Sequence, residues 1–387
     1  MASKAKPSRR RDCGGGFVWM ASLSLAMTAL FAADTARELS SGRNRNSIMT
    51  PKITACCLAL MAGSMTMPAA AQTPALAPKV LVITMFGGET KPWLEGETLV
   101  HKIAVPGFAK AYPEVACTES GLCVLTTGMG YANAASTVAA LAFGGRFDLA
   151  QTYVLIAGIA GVDPAYGTLG SAHWARYAVD VGLQNEIDPR EAPADWSAGY
   201  VAIGAGAPGQ KATPRYGSEV YRLDEDLLQA AYKLSKDTVL SDGDAAKAYR
   251  ARYGAGPATA PPAVTICDTV SSDTWWHGAK LGAAMAAYAK LATDGAAEPC
   301  TTQQEDNATL TALKRAADAH LLDFHRIALL RTASNFDREA PGQTAAESLA
   351  AKSGGYLPSV ANAYRVGGAL AHAIVANWDA WRDGPPK

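Results

Sequence analysis

The sequence predicts an α/β fold built on a mixed, mostly parallel sheet. Apolar strand candidates alternate with helical patterns along the chain, which is typical of this class. Several of these strands run into a glycine, a small polar residue or a carboxylate, as buried parallel strands do at their carboxyl ends. Residues 72–387 can bury one large core and contain no long linker, so we expect a single domain there.

Local patterns predict the individual elements. Short apolar runs predict strands at 79–85, 122–127, 152–157, 263–267 and 326–331. Apolar residues at helical spacing predict helices at 133–142, 224–234, 276–292, 308–320 and 357–378. Stretches rich in glycine and proline predict loops at 204–217 and 254–262.

Residues 1–71 have the character of a leader. A short basic start at Met49 precedes an apolar run over 53–71, and small residues come directly before Gln72. This layout predicts a signal peptide that starts at Met49 and is cleaved near Ala71-Gln72, with 1–48 an over-extended gene model. A membrane anchor is the alternative, although glycine, serine and proline interrupt the run.

Charge excludes some classes of partner. Of the 35 basic and 35 acidic residues, 9 and 3 lie in 1–71, which leaves 26 and 32 and a net charge of −6 for 72–387. Such a chain has no electrostatic attraction to nucleic acid or anionic lipid. Its longest uncharged apolar run, near 153–162, is too short to cross a bilayer. We expect no nucleic-acid partner and no integral membrane segment in the processed chain.

Four cysteines follow the leader: Cys117, Cys123, Cys267 and Cys300. An even number in an exported chain favours disulfides over reactive thiols, and three pairings are open. Closeness in sequence favours Cys117 with Cys123, which leaves Cys267 with Cys300. Four buried free thiols are the alternative. Export and disulfides together predict a periplasmic location.

Four patches, far apart in sequence, carry a resemblance to a known family. KVLVITMFGGE ends in Glu89, LTTGMGYANAA spans 125–135, VLIAGIAGVDP spans 154–164, and LLRTASNFD ends in Asp337. Residues 79–335 resemble the nucleoside phosphorylase and nucleosidase superfamily, and LLRTASNFD, QQEDNATL and SSDTWWHG resemble its purine nucleoside permease branch. The resemblance implies a three-layer α/β/α sandwich, a purine nucleoside ligand and assembly as a homo-oligomer.

The resemblance gives Glu89 the central role. In hydrolases of the superfamily, a carboxylate just after the first strand activates the attacking water, and Glu89 occupies that position, with Gly88 beside it allowing close approach. A carboxylate suits this task because the departing base makes the anomeric carbon oxocarbenium-like. A solvated loop glutamate is the alternative.

Two glycine-containing patches resemble the loops around the ribose and, in phosphorylases, around phosphate. The resemblance makes Gly128 and the turn of Gly158, Ile159, Ala160 and Gly161 substrate-binding. Ile159 replaces the usual hydroxyl residue, and the arginine that some phosphorylases carry two residues before the turn is also absent. Because phosphate needs N–H donors, hydroxyls or cations, water is the favoured nucleophile. An ordinary strand-to-loop turn is the alternative.

Two further segments resemble the base and ribose contacts. In SSDTWWHG the resemblance makes Trp275 the side chain that stacks on the base and Trp276 a backbone contact, with core packing of both as the alternative. In QQEDNATL it implies a carboxylate on the ribose 2′- and 3′-hydroxyls, either Glu305 or Asp306. Two acceptors suit a diol, although acidic residues also stabilise a helix start.

The patch LLRTASNFD resembles the segment that recognises purine N7, through Arg331, Ser334 and Asn335. The superfamily commonly has aspartate where this chain has Asn335. Asparagine at this position resembles the variant that selects 6-oxopurines. Its amide can donate to N7 and accept from a six-position substituent, but it cannot deliver a proton. We expect Asp337, two residues on, to supply acid catalysis through water.

The favoured function is hydrolysis of the N-glycosidic bond of purine nucleosides. The alternatives are a non-catalytic nucleoside-binding component of uptake and a phosphorolytic purine nucleoside phosphorylase. We expect no cofactor and no metal, because the histidines lack ligand spacing with cysteines or carboxylates. Because the processed chain offers no membrane span, any transport requires a separate transporter.

Overall fold

The computed structural model describes residues 75–213 and 216–386. The expected signal peptide and its cleavage point lie outside these residues. Within them the strands and helices are β1 (Val80–Thr84), α1 (Gly87–Gly96), β2 (His101–Ala104), β3 (Glu114–Cys117), β4 (Leu122–Thr126), α2 (Tyr131–Phe143), β5 (Tyr153–Val162), β6 (Ala172–Trp174), β7 (Tyr177–Asp180), β8 (Gln184–Glu186), β9 (Tyr200–Ala202), β10 (Val220–Arg222), α3 (Glu225–Ser235), α4 (Asp244–Arg250), β11 (Val264–Ile266), β12 (Asp268–Ser271), α5 (Ala279–Ala292), β13 (Pro299–Gln303), α6 (Asp306–Asp318), β14 (Ile327–Phe336), α7 (Ala345–Leu349), α8 (Tyr356–Ala376) and α9 (Trp378–Trp381).

A twelve-stranded mixed sheet runs through the described residues, in the order β10-β7-β12-β13-β5-β1-β4-β3-β2, with β14, β6 and β11 joined beside β5. At its centre β1 pairs in parallel with β4 and β5, and β14 pairs in parallel with β5. The terminal pairs β10–β7 and β2–β3 and the β5–β13 pair are antiparallel, whereas β11 pairs in parallel with β6. The predicted mixed sheet is confirmed.

Helices cover both faces of this sheet, because successive residues of its central strands point to opposite sides. Leu81 and Ile83 of β1 pack in one apolar cluster with side chains of α2 and α6. Val80 and Val82 pack in another with side chains of α1, α3 and α8. The chain therefore forms the three-layer α/β/α sandwich that the resemblance implies.

Three predicted boundaries were wrong. The strand predicted at 326–331 continues to Phe336 in its pairing with β5. The apolar run at 152–157 continues as strand to Val162, because β14 pairs with it along its whole length, so the predicted turn at 158–161 is strand. The helix predicted from residue 276 begins at Ala279, because Gly278 adopts a φ of 117° that interrupts helical geometry. Both tryptophans therefore precede α5.

Candidate functional site

A cavity of about 220 Å³ opens at the carboxyl ends of β1, β5 and β14, beside the start of α6. This edge is where parallel strands of α/β proteins present ligand-binding groups. Eight residues predicted from the sequence line it: Glu89, Ile159, Ala160, Trp275, Glu305, Arg331, Ser334 and Asn335. The parallel pairing of β5 with β1 and β14 brings these distant parts of the chain together.

Glu89 lies in the first turn of α1, with its side chain folded back toward the end of β1. The Met85 N–H donates to its Oε2 and the Ile159 N–H to its Oε1, both at 2.7 Å. Only 2% of the residue is exposed, and this burial raises the pKa of Glu89 to about 7, against the lowering effect of the Arg331 guanidinium. The geometry provides a fixed carboxylate that changes charge near neutral pH.

Gly158 allows β5 to pass close to these charged groups. A Cβ atom at this position would lie 2.5 Å from Arg331 Nη1 and 2.8 Å from Glu89 Oε1. Any side chain would displace one of them, so the absence of a Cβ is what lets both groups reach the cavity.

Arg331 lines the cavity and is held in place by the carboxylate of Asp306, which does not line it. Its Nε donates to both oxygens of Asp306 at 3.2 and 3.1 Å, and its Nη1 donates to the Ile159 carbonyl at 2.9 Å. Asp306 is fully buried, and this burial raises its pKa, opposed by Arg331. Asp306 therefore orients the guanidinium, which leaves Glu305 as the acidic residue of this pair that faces a ligand.

Glu305 lines the cavity at the N-cap of α6. The Gly130 N–H donates to its Oε1 at 3.1 Å, and Arg331 Nη2 lies 3.5 Å from its Oε2. Burial raises the pKa of Glu305, while the nearby guanidinium lowers it. Both oxygens retain acceptor capacity toward the cavity, which suits two hydroxyl donors.

Trp275 and Asn335 line the cavity on the same side of Gly161. A Cβ on Gly161 would lie 3.1 Å from Trp275 Cη2 and 3.4 Å from Asn335 Nδ2. The amide is oriented by its neighbours, since Ser334 Oγ donates to its Oδ1 and its Nδ2 donates to the Phe336 carbonyl, both at 2.9 Å. An aromatic face and a fixed amide are the groups that recognise a planar heterocycle.

Sequence reasoning missed five lining residues: Met85, Phe86, Met129, Gln303 and Gln304. Gln303 matters for geometry, because its Oε1 accepts from the backbone N–H groups of Glu305 and Asp306 at 2.7 and 2.8 Å. It thereby fixes the start of α6. Its position two residues before Glu305 could have identified Gln303. It ends the short polar strand β13, however, and such a strand has no apolar pattern from which to predict it.

Two predicted residues lie away from the cavity lining. Asp337 follows the end of β14 and is bound by Arg338, with 2.7 and 2.8 Å between their paired atoms. Asp337 therefore does not line the cavity, as a proton relay would require. The strand β14 ends at Phe336, so its side-chain alternation does not carry Asp337 to the same face as Asn335. The Trp276 side chain packs in a core cluster with residues of β7, β12 and α5.

Two predicted glycines contribute behind the cavity. Gly88 lies in α1, where a Cβ would come 2.0 Å from Tyr356 Oη. Gly128 has a φ of 88° and immediately precedes Met129, which lines the cavity. The first permits close packing of α1 on α8, and the second supplies a backbone conformation that L side chains rarely adopt.

Both expected disulfides are present, Cys117–Cys123 and Cys267–Cys300. His173 Nδ1 lies 3.3 Å from Cys267 Sγ, and these two residues with Cys300 form the grouping with metal-ligand distances in the described residues. Because both sulfurs are in a disulfide, they are not thiolate ligands.

Across 75–213 and 216–386, no helix has the length and apolarity to cross a membrane.

The fold and the cavity define an α/β/α sandwich protein with a carboxylate-rich cavity at the ends of its central strands. A model of the purine nucleoside permease (NUP) family matches residues 77–386. The chain belongs to this family, which confirms the resemblance drawn from its motifs.

Similar proteins carry the same family name. The chain is 38% identical over 317 residues to a probable purine nucleoside permease of Schizosaccharomyces pombe, covering 79% of this chain and 91% of that protein. It is 38% identical over 308 residues to a purine nucleoside permease of Candida albicans, covering 78% and 76%.

Solved structures with a similar fold are nucleosidases and a hydrolase. A 5′-methylthioadenosine/S-adenosylhomocysteine nucleosidase from Neisseria meningitidis matches with a TM-score of 0.47 and 16% identity, covering 76% of this chain and 98% of that one. The futalosine hydrolase of Helicobacter pylori matches with a TM-score of 0.47 and 12% identity, with the same coverage.

Proposed function

We propose that this protein binds a purine nucleoside and hydrolyses its N-glycosidic bond. The observation that carries the proposal is the environment of Glu89: two backbone amides fix its carboxylate at the cavity, and burial raises its pKa to about 7. A general base works best when its pKa lies near the working pH. Glu305 and Asn335 line the same cavity, where they offer contacts for ribose and base.

In this mechanism Glu305 accepts hydrogen bonds from the ribose 2′- and 3′-hydroxyls, and Trp275 stacks on the base. The bond between C1′ and N9 breaks, and its electron pair leaves with the purine. Water attacks C1′ while Glu89 accepts its proton, and the carboxylates stabilise positive charge on the sugar. The departing base takes a proton from solvent, because the Asn335 amide has none to transfer.

Phosphorolysis is less well supported by the lining. Phosphate binding requires hydroxyls, cations or free N–H groups, but the Ile159 N–H is bonded to Glu89 and the Arg331 guanidinium is engaged by Asp306. Ile156, which occupies the position of the arginine found in some phosphorylases, lies in the apolar core. These contacts favour water as the nucleophile.

Nucleoside capture without turnover is the second candidate. Asn335 replaces the acid that would assist departure of the base, and the relatives are named permeases. We place either function in the periplasm after signal-peptide cleavage, since the two disulfides suit an oxidising compartment. A separate transporter would then carry the nucleoside or its products across the membrane.

The deciding experiment incubates the purified protein with inosine, guanosine, adenosine and uridine, with and without phosphate, and separates the products by chromatography. We expect free purine base and free ribose without phosphate, and no cleavage of uridine. Base release that depends on phosphate would overturn hydrolysis in favour of phosphorolysis. Tight binding with no release would select the uptake function.

A further inference from the structure

A second chamber of about 260 Å³ lies against the nucleoside cavity. Trp275 and Asn335 line both spaces, so these two side chains form the wall between them. The far side of the chamber comes from α4, through Tyr249, and from α7 and the residues after it, including Leu349 and Ser353. None of these three residues lines the first cavity, so the chamber is an additional space.

His277 gives this chamber an unsatisfied polar group. It lines the chamber, and both of its ring nitrogens are buried without a hydrogen-bond partner among the described residues. Burial lowers the pKa of His277, so the ring is neutral at physiological pH and has one donor and one acceptor. A buried polar group without a partner is costly, and a ligand that reaches it would regain that free energy.

Asn335 sets the direction from which a ligand would enter the chamber. Each of its polar atoms makes one internal hydrogen bond, which leaves one N–H and one oxygen lone pair for the edge of a base. In the proposed complex these groups meet N7 and the group at position six. A substituent on the six-position nitrogen keeps one N–H for the Asn335 oxygen and extends past the wall.

The remaining lining indicates what such a substituent carries. Phe336 and Leu349 offer apolar contacts, while Ser348 and Ser353 offer hydroxyls in the chamber that His277 also lines. Ser353 Oγ donates to the Ser334 carbonyl at 2.7 Å, so its oxygen still has acceptor capacity. A short aliphatic arm that ends in a hydroxyl matches both kinds of surface.

We propose that this chamber binds a substituent on the six-position nitrogen of the purine, so that the ligands include N6-substituted adenosines with a short hydroxyl-bearing arm. The inference rests on the proposed function, because it requires a base in the first cavity that stacks on Trp275 and meets Asn335 with its N7 edge.

The test measures affinities of adenosine, N6-propyladenosine and N6-(3-hydroxypropyl)adenosine for the purified protein by calorimetry. We expect both substituted nucleosides to bind at least as tightly as adenosine, and the hydroxylated one at least threefold more tightly than the propyl compound. Ala351→Phe fills the chamber, which Ala351 lines, and should weaken both substituted ligands by about 10- to 100-fold while leaving adenosine unchanged. The matched control is Ala350→Phe at the exposed neighbouring position, which should change none of them.

His277→Phe provides a second variant, expected to remove only the preference for the hydroxyl group. If adenosine binds and both substituted nucleosides bind more than tenfold more weakly than adenosine, the chamber inference is overturned and the proposed function still stands. Equal losses in Ala350→Phe and Ala351→Phe would also overturn it. Failure of every nucleoside to bind would overturn both.

Discussion

Glu89 shows how a single residue acquires its chemistry from opposing local effects. Removal from water favours its neutral form, whereas Arg331 and two backbone N–H groups favour the carboxylate. Burial is the largest of these effects, and the resulting pKa of about 7 places the change of charge within the physiological range. The same carboxylate without burial would be a weaker base.

Replacing Glu89 with glutamine should therefore separate binding from turnover. The side chain keeps its size and an acceptor oxygen but loses the charge that deprotonates water. We expect nucleoside affinity to change little and turnover to fall about 10²- to 10⁴-fold, the usual contribution of a positioned base. Steady-state kinetics and calorimetry on inosine measure the two effects.

The pH profile provides the corresponding check. Because the ionised carboxylate is the active form, kcat/KM, which reports the ligand-free protein, should rise with pH and level off above about 7. Glu95→Gln, at an exposed position on the same helix, should leave this profile unchanged. Wild-type turnover in Glu89→Gln would contradict the role of Glu89 as the base.

Asn335 permits an independent prediction about the base. Asn335→Leu removes the amide and leaves polar atoms of a bound purine unpaired, at a cost of about 1–3 kcal/mol. Affinity for inosine should weaken by about one to two decades, with little effect on ribose alone. Asn185→Leu on the exposed strand β8 is the control. If Asn335→Leu binds inosine as tightly as the wild-type protein does, the purine base does not contact Asn335.

Among the elements, the long parallel pair of β5 and β14 supplies five of the thirteen residues that line the cavity. Gly158→Ala tests its packing, because the added Cβ meets Arg331 and Glu89, both of which are buried and bonded. We expect a loss of about 1–3 kcal/mol in the free energy of unfolding, typical of an overpacked core, measured by chemical denaturation.

Gly87→Ala is the matched control for Gly158→Ala. Its Cβ would make an ordinary contact of 3.6 Å with Tyr112 Oη at the start of α1. The change should be neutral or slightly stabilising, because alanine reduces the freedom of the unfolded chain. Equal stability of the two variants would show that β5 can yield around the charged groups.

The sequence contains enough information to predict elements whose signals are local. The apolar runs of β1 and β4 follow from such patterns, whereas the site position of Glu89 was implied by the family resemblance. The extension of β5 to Val162 depends on pairing with β14, which no local pattern at Gly158 reveals. The different roles of Glu305 and Asp306, one residue apart, depend on the direction of α6 relative to Arg331. The placement of Asp337 away from the cavity depends on where β14 ends and on its pairing with Arg338, which the sequence pattern does not reveal.

At the scale of the whole molecule, export remains a prediction. N-terminal sequencing of the protein from a periplasmic extract should begin within a few residues of Gln72. Alkylation before reduction should leave the four cysteines of the two disulfides unlabelled. Recovery of the intact chain from the cytoplasm would contradict processing at this position.

The buried Arg331 cluster has a consequence for selectivity among cell metabolites. Glu89, Glu305 and Asp306 surround a single guanidinium, so the potential in the cavity is negative whenever two or more of these carboxyls are ionised. A nucleotide adds phosphate charge to that field, and a nucleoside does not. We expect adenosine 5′-monophosphate to bind at least tenfold more weakly than adenosine, with the gap narrowing in high salt. Equal affinities would show that the cluster is electrically neutral, whereas discrimination would confine the protein to dephosphorylated ligands.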